Sequence, residues 1–200
     1  MSRNPEFTKQ HITHVAGMLF NKQGYKATSL SDITTASGYT KGAIYKHFGN
    51  KQNLEKQALI YLCTLVTNEI AKTVRREKTA PEKLRAIFRF YTSYSTHPIV
   101  DGGCPLMNAS IETDDTNQEL KMVVVKVMDV IQSSIVHILH NGIKHKQLNA
   151  DVPCEEFALF IISSLEGAIM MSQLYNNNQA LQNVYDYLNN QLDDYILHAM

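Results

Sequence analysis

Apolar positions recur at intervals of three and four along most of the chain, and no run of alternating β-branched residues between turn residues is long enough for a sheet. The pattern predicts an all-α fold of about nine helices. A first helix is expected from about Pro5 to Gln23, with Ile12, Val15, Ala16, Leu19 and Phe20 on one face, Pro5 near its start and Gly24 as its stop. Short helices follow at about Leu30 to Ser37 and Lys41 to Phe48, separated by Gly38-Tyr39-Thr40. Leu30, Ile33 and Ala36 supply the inner face of the first, and Ile44 and Phe48 that of the second. Asn50 then caps a long helix from about Lys51 to Lys78, whose apolar residues Leu54, Ala58, Leu62, Leu65, Ile70 and Val74 keep helical spacing.

Beyond Ala80-Pro81 a helix is expected to about His97, where Pro98 and Gly102-Gly103 break the pattern and mark the expected mobile loop before a short segment near residues 104 to 112. Further helices are predicted at about Thr116 to Lys146, Cys154 to Tyr175 and Ala180 to His198. The last two carry apolar stripes, Phe157, Ile161, Leu165, Ile169 and Leu174 in one and Leu181, Tyr185, Leu188, Leu192 and Tyr195 in the other. A homodimer joined through these helices in a two-fold four-helix bundle would bury them, with only some of each stripe needed between subunits; the alternative is that both stripes are intramolecular core.

The composition is that of an ordinary globular chain, with 44% apolar and 19% charged residues. No signal-peptide pattern and no stretch approaching a membrane span is read from the sequence, so the expected location is cytoplasmic, with no membrane partner. Cys63, Cys104 and Cys154 are widely spaced and odd in number, which predicts packed thiols, with neither a disulfide framework nor a CxxC metal site. His137, His140 and His145 lie near one another in one helix but read as surface histidines, and neither a metal nor another cofactor is expected.

Charge changes the picture more. Arg3, Lys9, Lys22, Lys26, Lys41, Lys46 and Lys51 face only Glu6 and Asp32 within the first 51 residues, a net +5 in a chain whose total is zero. A basic head on an acidic body implies that the head meets a polyanion and the body does not. Within that head, the two short helices and their glycine-containing turn have the form of a helix-turn-helix, whose second helix enters the DNA major groove. Its outer face offers Lys41, Tyr45 and Lys46, flanked by Thr40, His47 and Lys51, a set of donors and cations suited to phosphate oxygens and base edges. Gly42, an exposed helical glycine, costs about 1 kcal/mol against alanine and is understandable if another backbone must come close. Thr28 or Ser29 would cap the first short helix and aim its free N–H groups at a phosphate.

The run from Asp32-Ile33-Thr34-Thr35-Ala36-Ser37-Gly38-Tyr39-Thr40-Lys41-Gly42-Ala43-Ile44-Tyr45-Lys46-His47-Phe48 to Gly49-Asn50-Lys51-Gln52-Asn53-Leu54 resembles the signature of the TetR family of transcriptional repressors, and the preceding helix and Gly24-Tyr25 resemble it as well. The resemblance is strong over about residues 8 to 60 and, beyond them, extends only to helix number and order. It implies that Thr40, Lys41, Gly42, Tyr45, Lys46 and His47 belong to the recognition helix and its lead-in, and that Lys51 contacts a phosphate. Thr34, Ser37, Ala43 and His47 depart from the usual family residues and leave the operator sequence undetermined. The resemblance further implies residues 1–50 as the DNA-binding domain and 51–200 as an effector-binding and dimerisation domain, with a cavity in the body.

Residue type then suggests Phe88, Tyr91, Cys104, Met107, Met122, Phe160 and Glu166 as candidate lining, because methionines and aromatics adapt to apolar ligands and an acid among apolar neighbours orients them. The expected function is a dimeric repressor bound to pseudo-palindromic double-stranded operator DNA and released by a small-molecule effector. A non-DNA-binding helical adaptor and a redox-sensing regulator using Cys104 stand as alternatives. No Gly-rich phosphate loop, GxSxG elbow or HExxH motif proposes an enzyme.

Overall fold

Side-chain caps and special backbone positions set most of the helix limits. In the computed structural model, which describes residues 4–94, 96–113 and 117–197, α1 (Pro5–Gln23) starts where the Asn4 side chain accepts from the Glu6 N–H, and it stops at Gly24. The helices α2 (Leu30–Ser37), α3 (Lys41–Phe48) and α4 (Lys51–Arg76) follow, then α5 (Ala80–Tyr94), α6 (Pro105–Thr113), α7 (Gln118–Lys144), α8 (Cys154–Tyr175) and α9 (Gln179–Tyr195). The described residues thus form nine helices and no strand, with one isolated bridge between Leu148 and Ile196. Arg3 and the expected helix ends at Thr116 and His198 lie outside the described residues.

The chain divides into two compact units, Met1–Val66 with Val100–Val127 and Thr67–Ile99 with Met128–Met200, and α4 and α7 contribute to both. In the first unit α1 packs on α2 and α6, and α2 on α3. Its core includes Ile12, Phe20, Ile33 and Leu54, all 0% exposed, each worth about 1.5–3 kcal/mol of burial. The segment expected to be a mobile loop is instead fastened to α1. The Asn21 amide donates to the carbonyls of Asp101 (2.7 Å) and Gly103 (3.0 Å). The Asn108 amide donates to Gly102 (2.8 Å), to the Asn21 carbonyl (3.2 Å) and to Asn21 Oδ1 (3.1 Å).

In the second unit α9 packs on α5 and α8, and α8 on α5. Thr79 and Glu82 cap the start of α5 reciprocally: the Thr79 N–H donates to the Glu82 carboxylate at 3.0 Å, and the Glu82 N–H to the Thr79 hydroxyl at 3.3 Å. The Thr79 hydroxyl also donates to the Glu82 carboxylate at 2.7 Å, and this bond together with that from the Thr79 N–H holds the Glu82 carboxyl below its usual range. Arg85 pairs with Asp193, which ties α5 to α9.

Two readings from periodicity need correction. Helices α7 and α8 are each long and apolar enough, by length and composition, to cross a membrane. In α8 much of that apolar character is packed inside, since Phe157, Ile161, Leu165 and Ile169 are buried. The second correction concerns the dimer stripes: these four residues, with Leu181, Leu188 and Leu192 of α9, form the core of a single chain. The large apolar and aromatic residues of α8 left exposed are Leu159, Phe160, Met170, Met171, Leu174 and Tyr175, of which only Leu174 belongs to the predicted set.

Candidate nucleic-acid interface and effector cavity

Ser29 and Thr40 set the two short helices of the head. Ser29 is the N-cap of α2: the Asp32 N–H donates to its hydroxyl at 3.2 Å, and its own N–H donates to the Asp32 carboxylate at 2.8 Å. Hydrogen bonds from Ser29 hold the Asp32 carboxyl below its usual range. Thr40 caps α3, its hydroxyl accepting from the Ala43 N–H at 3.2 Å. Between them Gly38 ends α2 at φ 70° and ψ 11°, a left-handed conformation in which a side chain is disfavoured. No atom lies within 4 Å of where its Cβ would stand, so backbone angle, with no demand from packing, accounts for the glycine.

Helix α3 presents two distinct sides. Ile44 and Phe48 are buried at 1% and 3% exposure, while Lys41, Gly42, Tyr45 and Lys46 are exposed and His47 is half-buried. Tyr45 stands 51% exposed, and Lys41 and Lys46 have no ion-pair partner among the described residues. The structure therefore brings Thr40, Lys41, Gly42, Tyr45 and Lys46 together on one open polar surface.

Three residues are placed differently from expectation. Thr28 is fully buried, and its hydroxyl donates to the Gly24 carbonyl at 2.7 Å, so its side chain can neither cap α2 nor reach a phosphate; Ser29 alone does the capping. Ala36 is exposed and Ser37 takes its place on the inner face of α2. Lys51 opens α4 as expected, but its ammonium has internal partners: it donates to the Tyr25 carbonyl at 2.9 Å, pairs with Glu55 at 3.2 Å and sits 5.8 Å from the centre of the Phe20 ring. Burial nevertheless pushes the Glu55 carboxyl above its usual range, Lys51 opposing that shift.

The second unit contains a cavity of about 220 Å³ between α4, α5, α7 and α8. Its floor is buried and apolar, with Ile87, Ile135, Ile161 and Leu165 between 0% and 5% exposed. Arg75, Val130 and Ser134 are lining residues that are also exposed, so it opens to solvent on that side.

Of the seven residues predicted to line an effector cavity, Tyr91 is the one that lines this cavity. Phe88 is 0% exposed and packed in the core, Phe160 is 41% exposed and faces the Tyr187 ring of α9, and Glu166 is half-buried and absent from the lining. Cys104, Met107 and Met122 belong to the first unit, where Cys104 is buried and Met122 is 62% exposed. The residues that do line the cavity are mainly branched aliphatics with one cation, Arg75. The spacing Thr67, Ile70, Ala71, Val74 was readable as a helix face, but periodicity does not distinguish a wall from a packed core.

No group of three or more candidate metal ligands occurs among the described residues. His137 faces the Asn141 amide at 2.9 Å, and His140 lies 3.6 Å from the Glu155 carboxylate.

Comparison with known proteins adds to this geometry. Residues 12–58 match the family described as bacterial regulatory proteins, tetR family, and residues 80–188 match the tetracyclin repressor-like C-terminal domain. The HTH-type transcriptional repressor DhaR of Mycobacterium sp. (strain GP1) is 23% identical over 182 residues, spanning 90% of this chain and 89% of its own. A TetR transcriptional regulator from Chloroflexus aurantiacus J-10-FL superposes with a TM-score of 0.94 at 31% identity, covering 98% of this chain and 100% of that one. A TetR-family regulator from Cytophaga hutchinsonii gives a TM-score of 0.91 at 28% identity, with 98% of each chain covered.

Proposed function

The chain belongs to the TetR family of helix-turn-helix transcriptional regulators, and from that premise we propose that it is a repressor which binds a pseudo-palindromic operator as a homodimer and leaves it when a small molecule fills the cavity of its second unit. The observation that carries this reading is the two-sided α3, with Ile44 and Phe48 locked inward and Lys41, Tyr45 and Lys46 open to solvent. A short helix held on such a base reads a major groove through its outer side chains, and phosphate contacts beside it set the register. Thr40, Lys41, Gly42, Tyr45, Lys46 and Ser29 are the proposed contacts, with His47 at their edge and Lys51 mainly anchoring the helix behind them.

One short helix makes few base contacts, so two copies are needed to read two half-sites. The exposed apolar strip of α8, with Phe160 against Tyr187 of α9, is the proposed dimer surface. Residues 1–50 act as the DNA-binding domain and 51–200 as the effector and dimerisation domain, in the cytoplasm. Helix α4 is the proposed lever, since one end carries Lys51 and the other, from Thr67 to Arg75, lines the cavity. An effector releases DNA only if it prefers a conformation other than the DNA-bound one. Repression is favoured over activation by the relative named as a repressor.

The test is selection of duplex DNA from a random pool by the purified protein, followed by titration against salt. A repeated inverted half-site and an affinity that falls steeply with salt are expected. Weak binding without sequence preference, unchanged by Lys46→Ala, overturns the placement of the interface.

A further inference from the structure

Eleven of the fifteen residues lining the cavity are aliphatic, one is aromatic and one, Arg75, is charged. The aliphatic wall is mostly isoleucine and valine, whose branched side chains have stiff χ1 angles, so its shape is largely set before a ligand arrives. Tyr91 alone offers an aromatic face, which gives a flat polycyclic ligand little to stack on. No carboxylate lines the cavity, and a cation entering it would lose hydration without a counter-charge.

Arg75 has the opposite character. Among the described residues it has no acidic partner, whereas Lys72, Arg85 and Arg89 of the same unit pair with Glu69, Asp193 and Glu77. Arg75 is an exposed lining residue of a cavity whose floor is buried and apolar. A planar fork of N–H donors is the geometry that grips a carboxylate with two parallel hydrogen bonds.

We propose that the cavity binds a short aliphatic monocarboxylate, its chain against the isoleucine wall and its carboxylate on Arg75; the proposal rests on the effector-cavity reading above. The size restricts the chain. At about 30 Å³ for a water-sized group, 220 Å³ holds on the order of seven such groups, below the ~300–1,000 Å³ of pockets for drug-sized ligands. With the carboxylate outside the floor on Arg75, the five- and seven-carbon chains of hexanoate and octanoate fit that volume, and the chains of long fatty acids exceed it.

The experiment compares octanoate, 1-octanol and octylamine by calorimetry on the full-length protein, its Arg75→Gln and Arg75→Lys variants, and Ser134→Trp, which narrows the mouth from an exposed position. Octanoate is expected to bind at least tenfold more tightly than the alcohol, and the amine not to bind. Arg75→Gln removes that preference while leaving the alcohol unchanged, Arg75→Lys retains part of it, and Ser134→Trp weakens both. The proposal is overturned if octanoate fails to bind, if the alcohol or amine equals it, or if Arg75→Gln leaves its affinity intact.

Release of the selected DNA, measured in parallel, separates the two levels of the reading. Octanoate that binds through Arg75 without releasing DNA leaves the ligand class standing and removes the effector role. A neutral or cationic compound that releases DNA, and is blocked by Ser134→Trp, leaves the effector cavity standing and removes the carboxylate.

Discussion

The Glu112 carboxylate, one residue before the end of α6, accepts a hydrogen bond from the backbone N–H of Tyr25 at 2.8 Å, and the N–H of Lys26 adds a second at 3.2 Å. The turn that leads from α1 towards the DNA-facing helices is thus held by a charged acceptor supplied from a distant part of the sequence. Hydrogen bonds to a charged group contribute about 1.5–3 kcal/mol. Glu112→Ala is accordingly expected to lower stability by about 1–3 kcal/mol in chemical denaturation and to weaken DNA binding. Gly24 stands against the same carboxylate: at φ 95° and ψ 151° it occupies a region nearly reserved for glycine, and a Cβ there would lie 2.9 Å from Glu112 Oε1. Gly24→Ala should cost about 1–3 kcal/mol from backbone strain alone. Its cost should be smaller in a Glu112→Ala background, where the clash is gone, and strictly additive costs would show that the contact is not felt.

Tyr25 itself carries a removable defect. Its ring stacks on Phe20 at 5.0 Å, but its hydroxyl is buried without a hydrogen-bond partner among the described residues. Burial, aided by Cys63, Glu112 and Glu55, pushes the phenol well above its usual range, so it stays protonated. Removing a buried unsatisfied hydroxyl while keeping the ring relieves a desolvation cost of about 1–3 kcal/mol at most. Tyr25→Phe should therefore leave stability unchanged or raise it, and a loss of more than about 1 kcal/mol would indicate a hydrogen bond that the structure does not contain.

Lys51 and Glu55 predict a pH dependence with a definite sign. Because burial raises the Glu55 pKa in the folded state, ionisation of this group works against folding once the pH exceeds its unfolded value, and protonation relieves that penalty as the pH falls through the folded value. Lys51 offsets the penalty at neutral pH. Lys51→Met should destabilise the protein by about 1–3 kcal/mol at pH 7. The difference from wild type should shrink as the pH is lowered through the Glu55 titration, whereas a pH-independent difference would assign the loss to packing on Phe20.

Local chemistry explains which features were readable from the sequence. The limits of α1, α2, α3 and α8 follow from nearby residues, among them Pro5, Gly24, Gly38 and Gly49, and the structure places them as expected. The exposed face of α3 was readable for the same reason, since two apolar residues fix its inner side. Thr28 and Ser29 are both competent caps, and a bond from Thr28 back to Gly24 decides between them. The cavity was least readable. Whether Ile135 meets a void or a neighbour depends on four helices far apart in sequence, and the preference for aromatics and methionines pointed to Phe88 and Met122 while the wall is built of isoleucine. Apolar stripes on α8 and α9 likewise marked burial without distinguishing the chain's own core from a second copy.

The proposed dimer surface on α8 can be tested directly. Met170 and Leu174 are 45% and 71% exposed on the α8 face that also holds Ser163 and Gly167, and nothing lies within 4 Å of a Cβ at Gly167. Small residues beside large exposed apolar ones suit close packing of a second helix. Met170→Glu should shift the protein from dimer to monomer in light scattering with little loss of helicity, and DNA affinity should fall with it. A variant that remains dimeric would move the interface elsewhere.

Gly42 offers the sharpest separation of stability from function. It is exposed on α3, and the nearest atom to a Cβ built there is Thr40 Oγ1 at 3.8 Å, so nothing among the described residues requires a glycine at this position. Alanine in an exposed helix interior is more favourable by about 1 kcal/mol, and Gly42→Ala should raise the denaturation midpoint. If the missing side chain exists to let a DNA backbone approach, the same substitution should weaken operator binding at least several-fold, and Gly42→Leu further still. Stability and affinity would then move in opposite directions, which a purely structural role does not produce. An unchanged affinity in both variants would mean that the duplex does not approach α3 at its first turn.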